Sequence, residues 1–186
     1  MPDRGSLIIA SACGDGLWPP NTVESCGKSL AMPIDGVEID VHLSADGQVV
    51  VHHDFRLNAD QTRLDGEWIL RPGALIKHLS LEELRRFDVG RTRPESGEAR
   101  RYPDRQPIEG ARIPTLSQII EALKAHTESE LMLIVEIKTT PEKPEQSADP
   151  AEITRRVIED LEAANFVERA RIIAFDWRVL RLARQA

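Results

Sequence analysis

The strongest constraint in the chain is the run LMLIVEI at residues 131–137. It is apolar on both faces apart from Glu136, the pattern of a parallel strand buried on both sides. Its neighbours agree. Thr115 caps a helix running through about Ala125, and Asp149, Pro150 and Glu152 open another to about Asn165, since Pro suits the first helical position. Arg171 to Phe175 is a further buried strand, and a last helix begins near Trp177. The order after residue 110 is therefore helix, strand, helix, strand, helix, which predicts βα units and a parallel sheet.

The first half is less regular. Ser6 to Ala12 is a short apolar strand, after which Pro19, Pro20 and Asn21 break the pattern. Asn21 or Thr22 caps a helix to about Met32. Residues 35–43 and 48–53 are strands by their Val and Ile content, separated by the turn residues Ala45, Asp46 and Gly47. A parallel crossover needs about a dozen residues or more. The pair is thus either a hairpin or a chain doubling back in extended form. Residues 55–113 are polar, Arg-rich and loop-like apart from one helix, where Ser80 and Glu83 form a capping box.

With 186 residues, 41% of them hydrophobic, the chain suits one domain with a real core. Its net charge of −7 gives no reason to expect a nucleic-acid or anionic-membrane surface. Arginines are dense between Arg85 and Arg105, but Asp88, Glu95, Glu98 and Asp104 are interleaved. A solvated mixed-charge loop is expected there, with an anion-steering rim as the alternative. Two cysteines, Cys13 and Cys26, are too few for a disulfide framework. No run approaches the roughly 20 apolar residues of a membrane span. The residues MPDRGS lack a secretory leader's apolar stretch. A soluble, cytoplasmic protein is expected.

Glu38, Asp40 and His42 lie two apart on a strand and so share a face, as do Glu136 and Lys138. Burying unpaired carboxylates is costly, so these groups need partners. One solution is a divalent cation, Mg²⁺ or Ca²⁺, in a hard oxygen site. The other is a salt-bridge network in which Lys138 and an arginine neutralise the acids. The residues alone leave both open. If Asp46-Gly47 closes a hairpin, His53 meets the carboxylates and is a candidate proton donor or acceptor. His78 and His126 have no such company and read as structural. Cys13 has no evident base beside it, so a nucleophilic role does not follow.

The segment GVEIDVHLSADGQVVVHHD (36–54) resembles the glycerophosphodiester phosphodiesterase family: a Glu-x-Asp pair, an Asp-Gly turn, then a strand ending in His-Asp. The likeness covers most of the chain. LIIASACGDGLWPPNT stands where that family carries a His-Arg-Gly start and a Pro-Glu-Asn-Thr segment. IPTL (113–116), IVEIKT (134–139) and AFDW (174–177) follow its later blocks in order. The resemblance implies a (β/α)₈ TIM-type barrel and divalent-cation-dependent hydrolysis of a small-molecule glycerophosphodiester to an alcohol and glycerol 3-phosphate. It also implies metal ligands at Glu38, Asp40 and Glu136, a phosphate contact at Lys138 and a catalytic histidine at His53. The balance between cation and salt bridge then moves to the cation.

The match departs from the family at one place. Aligning Asn21-Thr22 with the family's Asn-Thr puts Ser11 at the first catalytic His, Ala12 at the phosphate-binding Arg, Cys13 at the Gly and Pro20 at the Glu. A full barrel takes about 250 residues. About five strands are expected here, so the barrel is apparently truncated, and its open edges raise the prospect of self-association. The expected organisation is a single partial barrel domain over 1–186, with 55–113 inserted after the third strand as a lid. Two other functions compete: a catalytically dead binder of a cation and a phosphodiester, and a partial-barrel interaction module.

Overall fold

The alternation of apolar and polar residues along two strands fixes the architecture. In the computed structural model, which describes residues 6–126 and 131–186, β2 (Gly36–Leu43) lies parallel to β7 (Met132–Ile137). Val37, Ile39 and Val41 of β2, with Leu133, Val135 and Ile137 of β7, all point to one side and are fully buried. That side is covered by α1 (Val23–Leu30), α4 (Leu116–Ala125) and α5 (Pro150–Ala163), which bring Leu30, Ile119, Leu123, Ile153 and Val157 into the same core. Each such aliphatic side chain contributes about 1.5–3 kcal/mol by leaving water.

Around this pair, β1 (Ile9–Ala10) lies parallel to the start of β2, and β8 (Ala170–Ile173) lies parallel to β7. The remaining strand, β3 (Val49–Val51), pairs antiparallel with the end of β2, matching Val41 with Val51 and Leu43 with Val49. The hairpin alternative is therefore the one realised. The five strands run β1-β2-β7-β8 with β3 on β2, and α6 (Trp177–Ala183) follows β8. This is part of a (β/α) barrel wall with its helices outside.

Caps sit where the sequence places them. Thr22 caps α1, Asp149 caps α5, and Thr115 forms a capping box with Gln118 at the start of α4. Two expectations change. β1 is only two residues long because Ser11–Cys13 turns away as a short 3₁₀ segment, with Ala12 (φ 44°), Cys13 (φ 61°) and Gly14 (φ 92°) all left-handed. And β7 is buried on one face only: Met132, Ile134 and Glu136 are half-buried because their side opens onto a cavity.

Residues 55–113 are more ordered than a loop. They carry a small antiparallel sheet of β4 (Arg63–Leu64), β5 (Glu67–Trp68) and β6 (Phe87–Asp88), and two short helices, α2 (Leu81–Leu84) and α3 (Gly97–Arg101). Leu57, Ile76, Leu84, Val89 and Ile113 form a core of their own, joined by Val50 of β3. The arginines are not uniformly solvated either. Arg105 has a side chain only 3% exposed, reaching the Asp15 carbonyl (2.7 Å) and Glu98 (3.4 Å), so it ties α3 to the turn after β1. Arg63 and Arg93 lie over the Trp68 ring. Apolar side chains remain exposed on both outer strands: Leu7 and Ile8 just before β1, and Phe175 and Trp177 just after β8, the latter pair at 86% and 81%. No helix among the described residues is long and apolar enough to cross a membrane.

Candidate active site

Strand register assembles the carboxylates. β2 and β7 pair so that Asp40 lies beside Glu136, while Glu38 sits one pleat earlier on the same inward face. The three side chains bring carboxylate oxygens within 4.8 Å of one another, beneath a cavity of about 850 Å³. Hydrogen bonds fix two of them. Asn21 donates Nδ2–H to Asp40 Oδ2 (2.9 Å) and accepts from the Asp40 backbone N–H (3.2 Å). The backbone N–H of Ala12 donates to Glu38 Oε2 (2.8 Å), and the Ser11 hydroxyl reaches the same oxygen at 3.3 Å. Burial, then the nearby Asp40, pushes the Glu38 carboxyl above its usual range.

Lys138 closes the group. Its Nζ lies 2.9 Å from Glu136 Oε1 and 3.2 Å from Asp40 Oδ1. Burial works to lower this ammonium, but Asp40 and Glu136 outweigh it and hold it above the ordinary lysine range. The salt-bridge arrangement weighed from the sequence is thus present for two of the acids. Glu38 Oε1 and Glu136 Oε2 have no hydrogen-bond partner among the described residues. Three hard oxygen donors this close suit Mg²⁺ or Ca²⁺, and Lys138 offsets their charge otherwise.

The hairpin brings the histidines in. His52 donates its backbone N–H to the Asp40 carbonyl (2.9 Å), and His53, the next residue, lines the cavity. His53 Nδ1 bonds Asp54 Oδ1 at 2.8 Å, and this contact holds the imidazole above its usual range. With Nδ1 so engaged, Nε2 is the edge left for a ligand. His42, although on the same face of β2 as Asp40, is buried edge-on against Phe55 and lies outside the cavity. Burial lowers it to about 3, so it stays neutral.

The wall that meets Glu38 is built by the left-handed turn. Ser11, Ala12 and Pro20 all line it, and Cys13 lies buried behind, against Cys26. Cys13 holds φ 61°, a backbone conformation that glycine adopts without strain. The residue that sequence reasoning missed is Asn21, read there only as a possible cap. Thr22 is the cap, and Asn21 is a buried positioning residue for Asp40. Its signal was the Asn-Thr pair of the resembled segment.

The sequence profile of the glycerophosphoryl diester phosphodiesterase family matches residues 14–186, and the chain belongs to that family. A glycerophosphodiester phosphodiesterase of Caldanaerobacter subterraneus subsp. tengcongensis is 29% identical over 176 residues, 95% of this chain and 60% of that protein. One from Bacillus subtilis is 27% identical over 127 residues, 67% of this chain and 38% of that protein. Among solved structures, a protein assigned to the glycerophosphoryl diester phosphodiesterases from Silicibacter pomeroyi superposes with a TM-score of 0.90 at 27% identity. That match covers 98% of this chain and 62% of the other. An Oleispira antarctica phosphodiesterase, solved with its product sn-glycerol 3-phosphate, gives 0.68 at 25% identity, over 97% of this chain and 62% of that one. The chain therefore spans about 60% or less of the length of these proteins, and its fold is the corresponding part of a TIM-type barrel.

Proposed function

We propose that this chain carries the cation half of a phosphodiesterase centre that hydrolyses glycerophosphodiesters to an alcohol and glycerol 3-phosphate. The observation that carries it is the meeting of Glu38, Asp40 and Glu136 within 4.8 Å in the cavity that His53 also lines. Mg²⁺ or Ca²⁺ held by these carboxylates would draw charge off the phosphoryl oxygens. The chain's own residues do the rest. Asn21 and the Ala12 N–H hold Asp40 and Glu38 in place. Lys138, between Asp40 and Glu136, supplies a positive charge beside the phosphoryl group. Residues 55–113 form a lid over the cavity, since long connections in compact domains are usually functional. Both cysteines are thiols, which fits a cytoplasmic setting.

In the reaction, the oxygen of water bonds to phosphorus and the bond from phosphorus to the alcohol oxygen breaks. His53 gives its Nε2 proton to that oxygen, and the proton lost by water passes to solvent, from which His53 is recharged. The general base for the water is the weak step. Ser11 stands where an imidazole is expected, and its hydroxyl is far too weakly acidic to act as one near pH 7. Such a loss costs about 10²–10⁴ in rate. The Ser11–Glu38 hydrogen bond favours a second reading, a non-catalytic binder of cation and diester in which that side is purely structural.

The test is glycerol 3-phosphate release from a glycerophosphodiester with Mg²⁺ or Ca²⁺. The parent is compared with a variant carrying Ser11→His, Ala12→Arg, Cys13→Gly and Pro20→Glu. Release that appears or rises only in the variant supports a built cation half-site with altered chemistry at the first strand. Silence in both, with diester binding intact, selects the binder. Silence in both with no diester binding removes the phosphodiester reading.

A further inference from the structure

His53 belongs to two cavities. Across its imidazole from the carboxylates lies a second one, of about 730 Å³, bounded by Phe55, Leu57, Pro72, Gly73 and Gln146 and reaching Lys138. His53, Asp54 and Asn58 line both spaces and form the partition between them. The His53 side chain is 63% exposed and its Nδ1 is taken by Asp54, so Nε2 is presented at that partition. A group that gives its proton to a leaving oxygen must lie within hydrogen-bond reach of it. The breaking bond then sits at the partition, phosphorus on the carboxylate side and the alcohol's carbons on the other.

The charges of the second cavity select among alcohols. Among the described residues of its lining, Asp54 is the one carboxylate and Phe55, apart from the imidazole, the one aromatic ring. Both Asp54 oxygens are committed, Oδ1 to His53 and Oδ2 to Asn58 (2.9 Å). Three cations line it: Arg56, which donates to the Gly73 carbonyl, Arg71, which pairs with Asp60, and Lys138. The Phe55 ring alone is too little for the aromatic cage that holds a quaternary ammonium. Arg71 and Lys138 are paired with carboxylates outside the lining, which leaves Arg56 as the cation with no carboxylate partner among the described residues. A cationic head group would meet that like charge with no free carboxylate in the described lining to offset it.

We propose that this second cavity is the alcohol subsite and that it takes uncharged polyols, such as a second glycerol, ahead of aminoalcohols such as choline. The assignment rests on the phosphodiesterase reading above and names the substrate class within it.

Gln146 tests it, because its half-buried side chain faces the cavity with no side-chain hydrogen bond among the described residues. Calorimetric titrations with Mg²⁺ or Ca²⁺ present would use sn-glycerol 3-phosphate, glycerophosphoglycerol and glycerophosphocholine on the parent, Gln146→Trp and Gln146→Glu. The parent is expected to prefer glycerophosphoglycerol to glycerophosphocholine by about tenfold, and Gln146→Trp to weaken both diesters about tenfold. Affinity for glycerol 3-phosphate stays unchanged in both variants. Gln146→Glu, adding a carboxylate, narrows the gap to glycerophosphocholine. Equal binding of the two diesters by the parent overturns the inference, as does a Gln146→Trp variant that keeps its diester affinity or loses glycerol 3-phosphate equally. A parent that binds the cation but no glycerol 3-phosphate overturns the phosphodiester reading itself, and the subsite with it.

Discussion

Glu38, Asp40 and Glu136 share one cavity with Ser11, Ala12 and Pro20, the two walls meeting at Glu38, and these walls are held in different ways. The carboxylates stand on neighbouring strands whose register is locked by a parallel ladder and whose outer faces are sealed under three helices. Ser11 and Ala12 belong to a turn in which Ala12, Cys13 and Gly14 are all left-handed, pinned by single contacts: Ala12 N–H to Glu38, Asn21 N–H to the Ala12 carbonyl and the Ser29 hydroxyl to the Cys13 carbonyl. Altering a residue on the first wall shifts charge in a fixed frame. Altering Ser11 or Pro20 on the second changes chemistry with little effect on the core, whereas Cys13 is itself a core residue.

The largest expected effect would break this comparison outright. Glu136→Gln or Glu38→Gln should reduce Mg²⁺ or Ca²⁺ affinity, measured by calorimetry, by more than the roughly 10–100-fold typical of removing an outer partner. Unchanged affinity in both variants would sink the carboxylate centre. Next comes a buried side chain that joins the walls. Asn21→Ala frees Asp40 Oδ2 and is expected to weaken the cation by about 10–100-fold while Thr22 still caps α1. A helix signal that falls with the affinity would assign Asn21 to stability instead.

The smallest effect sharpens the picture of the rigid wall. Thr139, just past β7, donates to Asp176 Oδ2 (2.9 Å), and Arg178 bonds the same carboxylate. The Arg178 contact, opposed by burial and helped by Thr139, holds the Asp176 carboxyl down at about 2. Its folded value lies below its unfolded one, so the stability it adds is complete above about pH 4 and is lost as pH falls towards 2. Asp46, Asp54 and Asp88 are also held low, so urea unfolding between pH 5 and 2 should show a larger loss in the parent than in Asp176→Asn. A parallel loss in the variant would place the acid sensitivity elsewhere.

Much of the rigid wall was legible in the sequence. Strict alternation in β2 states which face is covered, whereas the near-continuous apolar run in β7 pointed to burial on both faces and hid the cavity side. Thr115, Asp149 and Thr22 announce their helices through hydroxyl or carboxylate caps. The hairpin needed structure to decide, because the same short turn permits two paths. The insertion's strands are two residues long, too short to show a period, so its sheet and core were invisible. The left-handed turn was hidden for the opposite reason: Ala and Cys carry no signal for positive φ. Buried Arg105 was masked by its exposed neighbours in a charge-rich run.

The exposed ring of Trp177 makes the outer side of β8 optically addressable. The chain has three tryptophans. Trp18 has Lys28 over its ring and Trp68 has Arg63 and Arg93 over its own, whereas Trp177 stands almost wholly in water. Its emission is therefore the red-shifted, quencher-accessible component of the spectrum. Anything that settles against that side of the sheet would turn it blue and shield it, giving a light-based gauge of edge coverage that needs no label.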